Sequence, residues 1–494
     1  MAIYKLGRST SSSAATSTTS MSTKEAKEDG VEVSETRPRP QPTDLEAVPE
    51  ENESVDAVFG ARKGEGALDY RKVGWLSTSV LLAKTQIGLG VLSIPSVFDT
   101  LGLATGIIAL VVMAAWTTWS AFCIAWFKRA HPEVYSLADA VHLMGGPIFG
   151  IMFDAFYFIF MLFVAGLQFL TISTALNGIS LHATCTAVFV AVAAIFCIPI
   201  AAIRRLSEIA WITWVGVFAI IIAVFTVTIA VPVGGKPALA PEGDYTINIV
   251  IWGTPSFASG MNAIASLVSA YAGVPAFMAI QSEMSNYRDF SKSLILCQSV
   301  VTVIYIVVGV VVYYYAGQYV ASPALGTAGT LMKRISYGLA LPGLLVGAIL
   351  FVHLSAKFLF VRILKGSHHL AHGTRTHWAV WLSTTFGCGV VGYILASAIP
   401  VFGGLLGLIG ACFGTAMSLH AESFMYLYDS RKQFKNPETR TLRLWIGWTI
   451  NIVLIVVGSF ILVGGTYGAA IAIRDAYRTS AGTPWSCADN SGSS

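Results

Sequence analysis

Charge is what this chain has least of. Asp, Glu, Lys and Arg make up 12% of its 494 residues, hydrophobic residues make up 55%, and the mean hydropathy is +0.67. A soluble domain carries roughly 25% charge. Too little polar surface remains to solvate a globule of this size, so a water-soluble fold is excluded for most of the chain. The formal net charge of +4 is too weak to point to nucleic acid. Cysteine forms no framework either. Cys123, Cys197, Cys297, Cys388 and Cys412 lie in apolar runs, where a thiol behaves as a small hydrophobe. Only Cys185 and Cys487 fall near one common side of the membrane, and a disulfide between them is not the expected state. Side chains at metal-ligand or catalytic spacing are missing except for His368, His369, His372 and His377, which share a basic loop without acidic neighbours. A solvated His-rich loop is the expected reading, so a membrane enzyme is disfavoured and neither cofactor nor metal is expected. No ring-forming repeat or filter-like segment suggests a channel.

No apolar core follows Lys5 and Arg8, so no cleaved signal peptide is expected and the first membrane helix must itself direct insertion. Residues 1–70 differ from the rest. Ser9 to Thr23 is almost pure Ser, Thr and Ala, followed by Lys24, Glu25, Lys27, Glu28 and Asp29, then by Pro38, Pro40 and Pro42. Such a stretch cannot bury enough apolar area to offset its ordering entropy. We read it as a disordered cytoplasmic tail, either inert or regulatory. Residues 71–470 are expected to form the membrane domain and 471–494 a short polar tail.

What the chain has in abundance is apolar runs. About 20 apolar residues cross a bilayer. On that ruler spans fall near 75–98, 101–127, 148–178, 183–203, 208–231, 259–281, 293–316, 333–362, 378–398, 402–428 and 443–468. The third and eighth are long, which suggests tilt or an interfacial first turn. Alternate loops are basic: Lys128/Arg129, Arg204/Arg205, Arg288/Lys292, Arg362/Lys365/Arg375, and Arg431/Lys432/Lys435/Arg440. The opposite loops are nearly bare, Lys236 standing alone between Pro232 and Phe257, with Lys333 and Arg334 the exception. By the positive-inside rule the N-terminus is cytoplasmic.

Two spans are interrupted by small residues followed by proline. The first carries Gly88-Leu89-Gly90 and Pro95, the sixth Ser269, Tyr271, Gly273 and Pro275. An unpaired backbone group in lipid costs several kcal/mol unless protein, water or a ligand satisfies it. Weak points five spans apart fit an inverted repeat, with spans one to five related to six to ten and substrate held at both breaks. A half-helix starting after Gly88–Gly90 points free N–H groups and its positive end at the bilayer middle, which suits a carboxylate. Carbonyls released near Ser269–Gly273 suit an ammonium group. Together they fit a zwitterionic amino acid. Gly and Pro are also ordinary residues in membrane helices.

The same residues carry a family resemblance. Gly88-x-Gly90-Val-Leu-x-x-Pro95, the loop Phe127-Lys-Arg-x-His131-Pro-Glu, and Tyr271-Ala-Gly-x-Pro275-Ala-Phe with Glu283-Met284 downstream resemble the amino acid/auxin permease family, and within it the fungal neutral amino acid permeases. The resemblance covers roughly residues 70–470. It implies an all-α membrane protein of about eleven spans with a LeuT-like five-plus-five fold. It also implies secondary transport of amino acids driven by protons or sodium, across the plasma membrane or a vacuolar one. The chain departs from the family at Lys84, where many members carry Asn, and at Asn286-Tyr287, where others have Asn-Pro.

Lys84 sits about one turn before Gly88, where a lysine costs roughly 2.5–3.5 kcal/mol to insert. It either snorkels to the interface or stands where sodium would bind, and the second reading favours protons. His353 in the eighth span either relays a proton or bonds a neighbouring carbonyl. Glu208 and Glu283 are candidates for gating ion pairs with Arg204, Arg205 or Arg288. Asp154 and Glu422 are candidates for proton handling. In this architecture Phe163, Gly166, Phe169 and Thr171 on the third span join Tyr271 as pocket candidates. No acidic pair stands ready for a basic side chain, which favours neutral aliphatic or aromatic substrates. A membrane sensor that binds an amino acid without moving it remains the alternative.

Overall fold

Helices apolar on every side leave a chain two ways to use that surface, against lipid and against one another. In the computed structural model this chain does both. The structure describes residues 71–479 apart from 205, 371 and 400, together with 55–56, 60–61, 484–485 and 487–491. Most of the expected N-terminal tail lies outside the described residues. Within it Val55–Asp56 and Gly60–Ala61 pair as two antiparallel two-residue strands.

The remainder is helical. The first expected span is two helices, α1 (Trp75–Gln86) and α2 (Leu89–Leu101), bent by 45°. Then follow α3 (Leu103–Ala130), α4 (Leu137–Ser180), α5 (Thr186–Ala201) and α6 (Leu206–Gly234). The sixth span is again two helices, α7 (Phe257–Ala270) and α8 (Val274–Ser282). After them come α9 (Phe290–Ala316), α10 (Thr330–Leu364) and α11 (Arg375–Ala398). The tenth span runs from α12 (Phe402–Leu408) through π-helical Ile409–Gly414 and Ala416–His420 into α13 (Ala421–Lys435), and α14 (Leu442–Thr479) is last.

Among the described residues nine helices are long and apolar enough to cross a membrane, ten if the bent α1–α2 pair is one span. The expected fourth span corresponds to α5, whose 16 residues fall short of the roughly 20 that cross a bilayer, so a count of eleven depends on it. Long apolar side chains stand out from the bundle, among them Ile148, Phe149, Ile195, Phe196, Phe218, Val456 and Val463. Only a lipid solvent makes that arrangement favourable. α4 begins before the expected third span because a further segment joins it through a kink. Gly146 has φ +79°, a conformation that favours glycine, and Pro147 follows it. The segment before the kink is capped by Ser136, whose hydroxyl accepts from the Asp139 amide.

The two ends of the bundle differ. At the basic end Arg362 joins Asp139 (2.8 Å) and Asp154, and Asp154 also meets His142 at 2.8 Å. Asp154, a candidate for proton handling, thus sits in an ion network at this end of the bundle. At the far end the segment before α7 is pinned to the α2–α3 turn: Leu103 donates to the Val250 carbonyl at 2.9 Å, and Gly253 donates to the Leu101 carbonyl at 2.9 Å. Here Cys185 and Cys487 are joined by a disulfide across 302 residues of chain. This corrects the expectation against it. The short polar tail returns over the helix ends and brings Cys487 to the start of α5. Spacing alone carries no information about such pairing.

Candidate functional site

The two interrupted spans meet at one hydroxyl. Tyr305 on α9 reaches the Gln86 carbonyl at 2.9 Å and the Ala270 carbonyl at 2.9 Å, the last residues of α1 and α7. A hydroxyl has a single proton to donate, so it fully satisfies only one of these released carbonyls at a time. Gly90 is what allows the approach. A Cβ there would stand 2.5 Å from the Tyr305 oxygen and 2.7 Å from the Ala270 Cα. At the first break Ile87 is extended, and Lys84 Nζ donates to its carbonyl at 3.4 Å. Lys84 is 2% exposed, so it does not snorkel, and among the described residues no carboxylate pairs with it.

Around this junction lies a cavity of about 20 Å³ lined by Lys84, Thr85, Gln86, Gly90, Gln168, Ser269 and apolar neighbours from α4, α10 and the tenth span. That is room for about one water molecule. An amino acid does not fit in it. The Gln86 and Gln168 side-chain oxygens are buried without a hydrogen-bond partner among the described residues. Gln168 is a site residue that the sequence reading missed. Its signal was a lone amide in the apolar run Val164–Leu170. A larger groove of about 450 Å³ runs between α4, α10 and α11, but it is lined by Phe158, Leu162, Leu359, Ile363 and Val391 with hardly a polar atom. It lies away from both breaks and offers nothing to orient a zwitterion.

The other expected pocket residues are placed as follows. Ser269 faces the cavity. Gly88 lies behind the Lys84 ammonium, and Gly273 backs onto Thr85 and Gln86. The Tyr271 ring meets Tyr305 edge-on at 5.3 Å, and its hydroxyl lies 3.3 Å from Thr302, so it points into α9. Phe163 packs against Phe413 with ring centres 5.4 Å apart. Phe169 and Gly166 face α11, and Thr171 donates to the Leu167 carbonyl of its own helix. None of these last five lines the closed cavity. The side chain of Leu89 lies outside the described residues, as does that of Glu208.

Toward the basic end, polar contacts join the ends of the two interrupted spans. Glu283, at the end of α8, pairs with Lys357 of α10 at 2.7 Å, both side chains buried. The ion pair of Glu283 is thus with Lys357 and not with the expected Arg204 or Arg288, while Arg205 lies outside the described residues. Beside it Val73 donates to the Glu283 carbonyl at 3.2 Å and Ser285 donates to the Val73 carbonyl at 2.9 Å. The stretch before α1 is thereby bonded to the stretch after α8. His353 stands one turn before Lys357 on α10, its Nδ1 3.2 Å from the Ala201 carbonyl and its ring edge-on to Trp381 at 5.3 Å. Its Nε2 is buried without a hydrogen-bond partner among the described residues. Glu422, directly after the π-helical stretch, is fully buried, and neither carboxylate oxygen has a hydrogen-bond partner among the described residues. Among the described residues no three His, Cys, Asp or Glu side chains gather as a metal site, and His368 and His372 instead stack at 3.9 Å.

Comparison with known proteins places these features. The family model described as transmembrane amino acid transporter protein matches residues 71–471. A transmembrane transporter of Gibberella moniliformis is 32% identical over 427 residues, covering 86% of this chain and 89% of that protein. The N amino acid transport system protein of Neurospora crassa is 30% identical over 430 residues, covering 86% of this chain and 90% of that protein. An amino acid transporter of Arabidopsis thaliana is 25% identical over 407 residues, covering 77% and 88%. Among solved structures, a Na+-coupled sialic acid symporter aligns with a TM-score of 0.48 at 13% identity, over 82% of this chain and 92% of that one. A nucleobase-cation-symport-1 family transporter aligns with a TM-score of 0.47 at 13% identity, over 84% and 95%. The relatives are transporters, not enzymes, and this chain belongs to the transmembrane amino acid transporter family.

Proposed function

We propose that the chain is a secondary active transporter of neutral, aliphatic or aromatic amino acids. In this reading it is coupled to protons and holds its substrate where the first and sixth spans are interrupted. Spans one to five and six to ten then act as an inverted pair. The observation that carries the reading is the small cavity lined by Lys84, Gln86, Gly90, Gln168 and Ser269, beside the junction where Tyr305 meets the ends of α1 and α7. Lys84 and the start of α2 suit a carboxylate. The Ala270 carbonyl and the Gln168 oxygen suit an ammonium group. When the cavity widens, the apolar neighbours Val164, Leu167, Phe351 and Leu406 are left to receive an uncharged side chain.

Protons are favoured over sodium by Lys84, whose ammonium sits on the Ile87 carbonyl that a sodium ion would otherwise use. The buried carboxyl of Glu422 supplies a group able to carry a proton. Two independent features support a cytoplasmic basic end. Cations favour that side, and the single disulfide lies at the opposite end, where an oxidising compartment would form it. The plasma membrane is the favoured location, with a vacuolar membrane as the alternative. Counterflow in proteoliposomes tests the substrate class without any ion gradient. Preloaded leucine or phenylalanine should drive entry of labelled leucine, and preloaded lysine or glutamate should not. Counterflow driven equally by lysine would contradict the neutral assignment.

A further inference from the structure

The last described residues of the chain do more than end it. α14 packs on α7 and on the tenth span, yet the residues after it cross to a different helix group. The Trp485 amide donates to the Ser397 carbonyl at the end of α11, at 3.0 Å. Cys487 is bonded to Cys185 at the start of α5. The Ala488 carbonyl accepts from the Thr186 hydroxyl at 2.7 Å. The Asn490 amide bridges two side chains of α4, donating to the Ser173 hydroxyl at 3.1 Å and accepting from Asn177 at 2.8 Å. Lys333 at the start of α10 donates to the Ser491 carbonyl at 2.7 Å. Five residues between Trp485 and Ser491 thus fasten the far ends of α4, α5, α10 and α11, four helices that all pack on one another.

The strap also reaches the turn Ala324–Gly326, between α9 and α10. That turn is buried and packs against α2, the far half of the interrupted first span. A Cβ at Gly326 would lie 3.9 Å from the Ser491 carbonyl oxygen. Ser491 itself is buried, and Asp489 folds back to accept from its amide and hydroxyl at 2.8 and 2.7 Å. A loose polar tail would be solvated. This one is covalently anchored and hydrogen-bonded, and it tucks its tip between the turn and α10.

We propose that residues 485–491 are an outer strap, stapled by Cys185–Cys487, which clamps α4, α5, α10 and α11 together and holds the 324–326 turn down over α2, so that far-side opening requires the strap to yield. The proposal rests on the alternating-access reading. Its test needs no substrate, so the two can fail separately. Leu325, buried in the turn, is replaced by Cys as a reporter in the full-length protein in proteoliposomes, and its labelling by a membrane-impermeant maleimide is timed. The parent Leu325→Cys protein is compared with two further variants, one adding Asn490→Ala and one adding Cys185→Ser with Cys487→Ser. A fourth protein without the Leu325 change sets the background from the native thiols. Asn490→Ala removes two side-chain hydrogen bonds and keeps the disulfide, so it remains informative if the cysteine pair variant does not fold. Labelling about thirtyfold faster in Asn490→Ala is expected from two bonds of about 1 kcal/mol each, and faster still without the disulfide. Unchanged labelling in the folded variants, with or without a lower melting temperature, would make the strap a passive staple and overturn the proposal.

Discussion

Glu283 and Lys357 stand 2.7 Å apart with both side chains closed off from solvent, tying the end of α8 to the last turns of α10. Neither charge could be left alone there. Removing one partner of a buried pair costs about 3–5 kcal/mol, because the survivor keeps its desolvation penalty, whereas removing both costs far less. Glu283→Gln and Lys357→Met should each lower the melting temperature of the purified protein markedly. Combining them should recover most of the loss. Thermal unfolding in detergent checks this, and a double variant no better than the singles would argue against the pairing.

Gly90 tests the contact between the two breaks. In Gly90→Ala the new methyl meets the Tyr305 hydroxyl at 2.5 Å and the Ala270 backbone at 2.7 Å. Tyr305→Phe relieves only the first clash. We expect Gly90→Ala to abolish uptake while the protein still reaches the membrane, and Tyr305→Phe added to it to give no rescue. Rescue would mean that the hydroxyl, and not the proximity of the two backbones, sets the limit.

Lys84 should matter to binding before it matters to coupling. A charge-assisted hydrogen bond is worth about 1.5–3 kcal/mol, or ten- to a hundredfold in affinity. Lys84→Met should weaken amino acid binding, measured by calorimetry, by at least about tenfold. Affinity unchanged from the parent would remove Lys84 from the carboxylate side of the site.

Glu422 should separate coupling from binding. It has no hydrogen-bond partner among the described residues to lose, so Glu422→Gln should fold and bind. Counterflow should persist in this variant while proton-driven accumulation falls to the equilibrium level. Full accumulation would clear Glu422 of a coupling role.

Much of this was legible in the sequence. The apolar runs near 75–98 and 259–281 mark the interrupted spans, and their Gly and Pro residues mark where the helices stop, because helix geometry is local. The sequence placed Lys84 one turn before the first break but left open whether it snorkels, and the structure buries it. What was not legible depends on neighbours far along the chain. Tyr305 looked like one aromatic among many on α9, yet it meets Gln86, 219 residues away. The partner of Glu283 was sought among loop arginines because sequence shows loops but not which helix covers a helix end. The π-helical stretch Ile409–His420 has no pattern of its own, since a widened turn changes hydrogen bonding without changing composition. The link between Cys185 and Cys487 depends on the path of the tail, which polarity alone does not fix.

Uptake of labelled leucine or phenylalanine into proteoliposomes, under an imposed proton gradient and then under a sodium gradient, tests the central claim most directly. Accumulation above equilibrium with the proton gradient and none with sodium alone is the predicted result. Saturable binding without accumulation under either gradient would contradict transport and favour a sensor built on the same site.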